Sequence, residues 1–269
     1  ALPISIPNLN WSGDGNRPRY FQIRGIGELE QYQGAPNPSV GFLIDDIDYS
    51  GIGSIATLFD IEQIEVLRGP QSGRYGANAL AGLIYMRSAT PTEDFSRKIQ
   101  LRVAEDNEIA AGLAFGGPTE MLKNAKYRVS IHRHQSDGFR DNAFLNRKNT
   151  NLREETSLRG KLIWNVADDW LFDLTTMFVD INDGYDAFSI DNSMTMLSDK
   201  PGKDAQKSSG ASIKVIYSAF DSHTIELISS LAHSIIDFSY DADWGNNLAW
   251  APITYDYETK NNRKRQTVS

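Results

Sequence analysis

Leu58-Phe59-Asp60-Ile61-Glu62-Gln63-Ile64-Glu65-Val66-Leu67-Arg68-Gly69-Pro70 is the stretch from which the fold is read. Its middle, Ile61 to Leu67, is an apolar-rich run with imperfect alternation, the mark of a strand. Gly69-Pro70 closes it, because glycine permits positive φ and proline fixes φ and removes a donor. Upstream, Phe21-Gln22-Ile23-Arg24 and Val40-Gly41-Phe42-Leu43-Ile44-Asp45 are similar runs, and Gly82-Leu83-Ile84-Tyr85-Met86 follows. Ser54 is placed to cap a short helix through Phe59. These elements predict a small mixed sheet with one or two short helices and long loops. Its core is thin for its length, so it is expected to lean on a larger body.

Composition separates this region from the rest. Residues 1–95 hold 12 of the 21 glycines, 7 of the 10 prolines, 11 acids and 6 bases. All six bases are arginine, and the first lysine is Lys98, a usage that suits geometrically fixed ion pairs. From residue 96 onward the period changes to two. Ile99, Leu101 and Val103 alternate with Lys98, Gln100 and Arg102; Ile109, Ala111, Leu113 and Phe115 continue the pattern. Tyr127, Val129 and Ile131 alternate with Arg128, Ser130, His132 and His134, and Leu158, Leu162 and Trp164 oppose Arg159, Lys161 and Asn165. Seven strands are expected, with an eighth beginning at Arg265. Short connections at Gly117–Asn124, Ala167–Asp169 and Phe220–Ser222 alternate with long ones at Asp137–Asn151, Asp183–Lys207 and Asp241–Asn262. Period-two patterning alone suits a soluble sandwich equally well. The loop asymmetry, with aromatics near strand ends (Trp164, Trp170, Tyr240, Trp244), favours a membrane barrel.

Whole-chain properties exclude other classes. No stretch approaches the roughly 20 apolar residues of a spanning helix. The 27 Lys and Arg against 35 Asp and Glu give a net charge of -8, the opposite of a nucleic-acid binder. Without cysteine there is no disulfide, thiolate-metal or Cys-nucleophile chemistry. The opening residues, Ala1-Leu2-Pro3-Ile4, lack the charged and apolar segments of an export signal, so none is expected to remain.

Taken together, Phe21–Gly25 ("FQIRG"), Pro38–Asp45, Leu58–Pro70 ("LFDIEQIEVLRGP") and Tyr75–Ile84 ("YGANALAGLI") resemble the plug domain of TonB-dependent outer-membrane receptors. Each block is weak alone, but the four in order over residues 18–92 are specific. The resemblance implies an α+β plug (residues 1–95) followed by the start of an antiparallel transmembrane β-barrel (residues 96–269). The family barrel has about 22 strands, of which about eight are expected here. Gln71-Ser72-Gly73-Arg74 departs from the family's usual link between the "RGP" block and Tyr-Gly. A TonB box is not identifiable ahead of the plug, so a receptor fragment lacking both ends is expected.

By the same resemblance, Arg24, Arg68, Glu62 and Glu65 are expected to make the ion pairs that hold the plug in the barrel. Ligand contacts are expected from the plug loops Trp11–Arg17, Gly27–Pro38 and Tyr49–Gly53, with Trp11, Gln31, Tyr32 and Tyr49 as candidates because aromatics and amides stack on and hydrogen-bond a ligand. The implied function is active import of a scarce ligand, a ferric siderophore foremost and cobalamin or a saccharide as alternatives. The implied partners are TonB with its inner-membrane energising complex and outer-membrane lipid, with no nucleic acid, no resident cofactor or metal, and no enzymatic step. A soluble β-rich binding module or hydrolase is the rival of different class.

Four further patterns carry little. Gly51-Ile52-Gly53-Ser54-Ile55-Ala56 fits G-x-G-x-x-A, but the acidic run before it is unlike a buried parallel strand. Asp45, Asp46 and Asp48 read as a turn-proximal acidic cluster rather than a cation site. His132 and His134 share a strand face but make only two ligands. Gly69-Pro70-Gln71-Ser72-Gly73 misses the G-x-S-x-G spacing.

Overall fold

In the computed structural model the described residues are 6–13, 17–29, 38–52, 57–71, 73, 78–220 and 222–269. Strands β1 (Leu9–Ser12) and β2 (Tyr20–Ile23) form an antiparallel hairpin. β3 (Val40–Ile44), β4 (Ile47–Asp48), β5 (Ile61–Arg68) and β6 (Gly82–Ser88) make a four-stranded sheet in the order β4-β3-β6-β5, with β3 and β6 parallel. There follow β7 (Ser96–Ala104), β8 (Glu108–Pro118), β9 (Ala125–Ser136), a short β10 (Asp141–Asn142), β11 (Arg153–Ala167), β12 (Trp170–Gly184), a short β13 (Thr195–Met196), β14 (Lys203–Phe220), β15 (His223–Asp241) and β16 (Glu258–Val268). Eight of these form one antiparallel meander in the order β16-β15-β14-β12-β11-β9-β8-β7. The expected strand count is met, with the eighth strand starting at Glu258 rather than Arg265. The elements given bounds above are all strands, and among the described residues Gly73 alone has helical backbone. The helix expected from Ser54 falls in part on residues 53–56, outside the described set, and Leu58–Asp60 bend through a turn.

The large sheet is patterned inside out. Leu158 is 43% exposed while its neighbour Arg159 is 5% exposed, and Phe178 and Met177 on β12 repeat the contrast at 43% and 4%. Register carries this parity across the sheet. Arg159 lies opposite Ser130 and Met177, while Leu158 lies opposite Ile131 and Phe178. One face is therefore apolar and open, and the other is polar and covered, the pattern of a transmembrane barrel wall rather than a soluble sandwich. No helix among the described residues is long and apolar enough to cross a membrane.

The covered face receives the small sheet. One buried cluster joins Phe42, Ile44, Ile47, Tyr49 and Met86 to Met177, Val179 and Ile181 of β12 and to Ala232, Ile236 and Phe238 of β15. The thin plug core is thus completed by the wall. At the short-turn end Trp170 packs on Tyr217 (4.6 Å) and Phe172 (6.2 Å), and Phe172 on Trp164 (6.3 Å), an aromatic belt. Tyr240 and Trp244 do not belong to such a belt. Tyr240 shares Phe238's parity and stacks on Tyr185 at 4.9 Å, and Trp244 packs on Phe188 at 5.6 Å among the long loops.

Candidate functional site: the plug–wall interface

The interface is organised by turns that project carboxylates. Between β3 and β4 the chain reverses through Asp45 (φ 47°) and Asp46 (φ 69°), both left-handed, a conformation aspartate tolerates and two-residue hairpins require. The reversal aims both side chains at the wall. Asp45 Oδ1 accepts from Ser88 N (2.9 Å) and from Lys161 Nζ on β11 (3.3 Å), and its carbonyl accepts from Ser212 Oγ on β14 (2.7 Å). Asp46 accepts from the Tyr85 hydroxyl (2.7 Å) and pairs with Lys214 of β14 at 2.9 Å.

The next anchor comes from the turn ahead of β5. Asp60, also left-handed (φ 58°), takes a two-point bond from Arg128 of β9, Nε at 2.8 Å and Nη2 at 2.6 Å. Both partners are buried. At the other end of the interface, in the β1–β2 loop, Arg17 pairs with Asp183 (2.9 Å) and Glu155, and Arg19 pairs with Asp204. Burial alone would lower the Arg17 guanidinium, but Glu155, Asp183 and Asp204 outweigh it and hold the group above its usual pKa. Arg263 donates to the Gly51 carbonyl (3.1 Å) and Thr267 to the Asp48 carbonyl (2.9 Å), tying β16 to the same region. Buried pairs of this kind fix position more than they stabilise, and removing one member strands a charge.

Two aromatic pegs complete the fit. Tyr49 is fully buried over Gly210 of β14. A Cβ at Gly210 would lie 2.8 Å from Ile47 Cγ2 and 3.2 Å from Tyr49 Cζ, and against the Tyr49 hydroxyl. Phe59 covers Gly112 of β8, where an added Cβ would meet its ring at 2.7–2.8 Å. It also stacks on His132 (5.5 Å) beneath Lys98 (5.4 Å). Only glycine leaves room at these two wall positions. Elsewhere the fit is open: a cavity of about 210 Å³ lies between plug and wall, lined by Asp45, Asp46, Glu62, Arg87, Lys161 and Asp173 among others.

The residues expected from sequence to pair across the interface lie elsewhere. Glu65 pairs with Arg87 of the adjacent strand (2.6 Å), and Glu62 accepts from Thr90 (3.0 Å). Arg24 and Arg68 are exposed and make no ion pair among the described residues. Glu62, Glu65 and Arg68 are on β5, the opposite edge of the sheet from β4, and β4 packs on β14 and β15 of the wall. The partners that do cross the gap are Asp45, Asp46, Asp60, Arg17 and Arg19.

Of the ligand-contact candidates, Trp11 is 49% exposed on β1. Gln31 and Tyr32 lie outside the described residues. Tyr49 is corrected: it is 0% exposed, inserted between plug and wall, and its buried hydroxyl has no hydrogen-bond partner among the described residues. Burial raises its pKa despite the nearby Arg159. The aspartate cluster is internally occupied, Asp48 by Ser50 N (2.8 Å) and Asn78 Nδ2 (2.9 Å). Among the described residues no group of three acidic, His or Cys side chains is placed to hold a metal.

Comparison with known proteins places this geometry. Residues 2–83 match the TonB-dependent receptor plug domain. The pesticin receptor of Yersinia pestis is 27% identical over 120 residues, 44% of this chain and 17% of that protein. The ferrioxamine B receptor of Salmonella typhimurium (strain LT2) is 29% identical over 169 residues, 61% of this chain and 22% of that protein. The ferric yersiniabactin uptake receptor FyuA from Yersinia pestis superposes with a TM-score of 0.77 at 20% identity, over 89% of this chain and 38% of that one. The chain therefore spans well under half the length of the relatives it matches. Residues 2–83 match the plug domain of TonB-dependent receptors, and the chain is similar in sequence and in fold to receptors that carry that domain.

Proposed function

We propose that this chain supplies the plug and the first wall strands of an outer-membrane receptor that imports a scarce extracellular ligand, a ferric siderophore. Residues 1–95 act as the plug and 96–269 as wall. Ligand docks over the apical plug loops, with Trp11, Gln31 and Tyr32 as contacts, and TonB with its inner-membrane energising complex then displaces or remodels the plug. The observation that carries this reading is the nature of the plug's attachment. It is a separate stretch of chain seated on the wall through buried ion pairs, two aromatic pegs and a shared apolar cluster, beside a polar cavity, so its seat consists of noncovalent contacts between two bodies. Receptors for siderophores among the similar proteins support the ligand class, and cobalamin or a saccharide is the alternative cargo for the same machinery. No step requires covalent chemistry. The open apolar face argues against a soluble binding module.

Deleting the gene under iron limitation is expected to lower uptake of radiolabelled ferric siderophore, and restoring it to return uptake only in cells with an intact TonB system. Unchanged uptake of ferric siderophores, with a defect in cobalamin or saccharide uptake instead, would reassign the cargo.

A further inference from the structure

The outer face of the wall changes character abruptly toward the long-loop end. On β9, β11 and β12 the residues Ile131, Leu158 and Phe178 lie side by side facing outward. One outward step farther along each strand the row reads Arg133, Thr156, Asp180 and, on β14, Lys207. Glu154, Lys203 and Asp237 flank that row and face outward with it. Together these residues line an open groove of about 540 Å³.

Depth fixes what this groove meets. Trp170 in the aromatic belt and Asp180 are both on β12, ten residues apart. At about 3.3 Å per residue and a strand tilt of about 40°, that separation is roughly 25 Å of height, the thickness of a barrel's apolar band. Ionic side chains inside hydrocarbon are costly, so a charged row at this height lies at the headgroup level of the leaflet on the long-loop side.

The charges there are available. Arg133 pairs with Glu154 (2.6 Å), Lys203 with Asp237 (2.6 Å) and Lys207 with Asp180 (3.3 Å), but the three cationic side chains stay 50%, 47% and 67% exposed. Exposed pairs hold weakly and yield to a better acceptor, and a phosphate offers guanidinium and ammonium groups stronger, multi-point acceptance. From this geometry we infer that the groove is a binding site for the phosphate-bearing headgroup of an outer-leaflet glycolipid, with Arg133, Lys203 and Lys207 as its phosphate donors. The inference rests on the outer-membrane reading above. The site lies outside the barrel and takes no part in ligand passage.

The test uses the full receptor purified in detergent. The probe is a bis-phosphorylated glucosamine-disaccharide lipid, compared with its dephosphorylated form and with phosphatidylcholine, and bound lipid is counted by native mass spectrometry. Wild type is expected to retain the phosphorylated lipid about tenfold better than either control, as for two or three charge-assisted contacts. The triple variant Arg133→Gln/Lys203→Gln/Lys207→Gln is expected to lose that preference. The companion Glu154→Gln/Asp180→Asn/Asp237→Asn, which removes the competing acids, is expected to keep or strengthen it. Equal retention by wild type and the first variant, or no preference for phosphate, would overturn the site. Loss of binding in both variants would show a self-contained ionic collar and overturn it equally. Quenching of belt tryptophans by brominated lipid chains checks the membrane reading separately: without quenching that reading fails, whereas quenching without phosphate preference defeats only the headgroup site.

Discussion

Replacing Asp60 by Ala in the full receptor is expected to loosen the plug severely. The substitution leaves Arg128 of β9 buried with Ser96 Oγ, at 3.1 Å, as its remaining side-chain hydrogen-bond partner among the described residues. Breaking a buried pair from one side costs about 3–5 kcal/mol, because the surviving charge keeps its desolvation cost and loses its counter-charge. The surviving charge would sit at the joint between two bodies, where parting them lets it reach water. Cells carrying Asp60→Ala are therefore expected to become sensitive to large hydrophilic antibiotics that the seated plug excludes. The double variant Asp60→Leu/Arg128→Met is expected to recover most of the resistance, since exchanging a whole buried pair for apolar side chains of similar size is close to neutral. Resistance unchanged in Asp60→Ala would mean that the pair does not hold the plug.

Gly210→Leu is the second large effect expected. Its Cβ alone would meet Ile47 Cγ2 at 2.8 Å and press on the Tyr49 ring, and the rest of the side chain has nowhere to go. Overpacking a closed site typically costs about 1–3 kcal/mol. The cost is borne here by two bodies that can part, so the outcome is displacement of the plug rather than local repacking. Limited proteolysis of purified receptor is expected to cut the plug faster in Gly210→Leu than in wild type. Combining it with Tyr49→Ala, which empties the socket, is expected to slow cleavage again. Cleavage at the wild-type rate in Gly210→Leu would remove the peg from the account.

Much of the architecture was legible in the sequence because it is written locally. Apolar alternation over residues 99–131 and 158–178 gives strands and faces, and unequal connections give the two ends. The four plug blocks give the family. The contacts across the gap were not legible, for a physical reason. Asp60 and Arg128 are 68 residues apart, and Arg19 and Asp204 185 apart, so no local pattern links them. An aspartate at a turn has the same signature whether it meets solvent or a buried arginine. Arg24 and Arg68 stood out because each sits beside a glycine at a strand end, yet both are exposed and neither makes an ion pair among the described residues. Tyr49 resembled an apical contact because an aromatic on a plug loop can stack on a ligand. Its socket, Gly210, is on a strand far along the chain. One signal was within reach: lumen-parity cations such as Arg128, Arg159, Lys161 and Lys214 imply acids opposite them, and the plug's turn aspartates are the natural supply.

The central claim is that the small sheet sits on the polar face of a wall whose other face meets lipid. Residues 1–269 contain no cysteine, so any thiol within them is an introduced one. In the full receptor in intact membranes, paired cysteines at Asp48 and Thr267, and separately at Asp60 and Arg128, should be joined by a short bifunctional thiol reagent. A cysteine at Leu158, on the opposite face, should join neither plug position and should be protected from aqueous reagents. Joining of Leu158 to the plug, or freely reactive thiols at all four plug and wall positions with no cross-link formed, would contradict it.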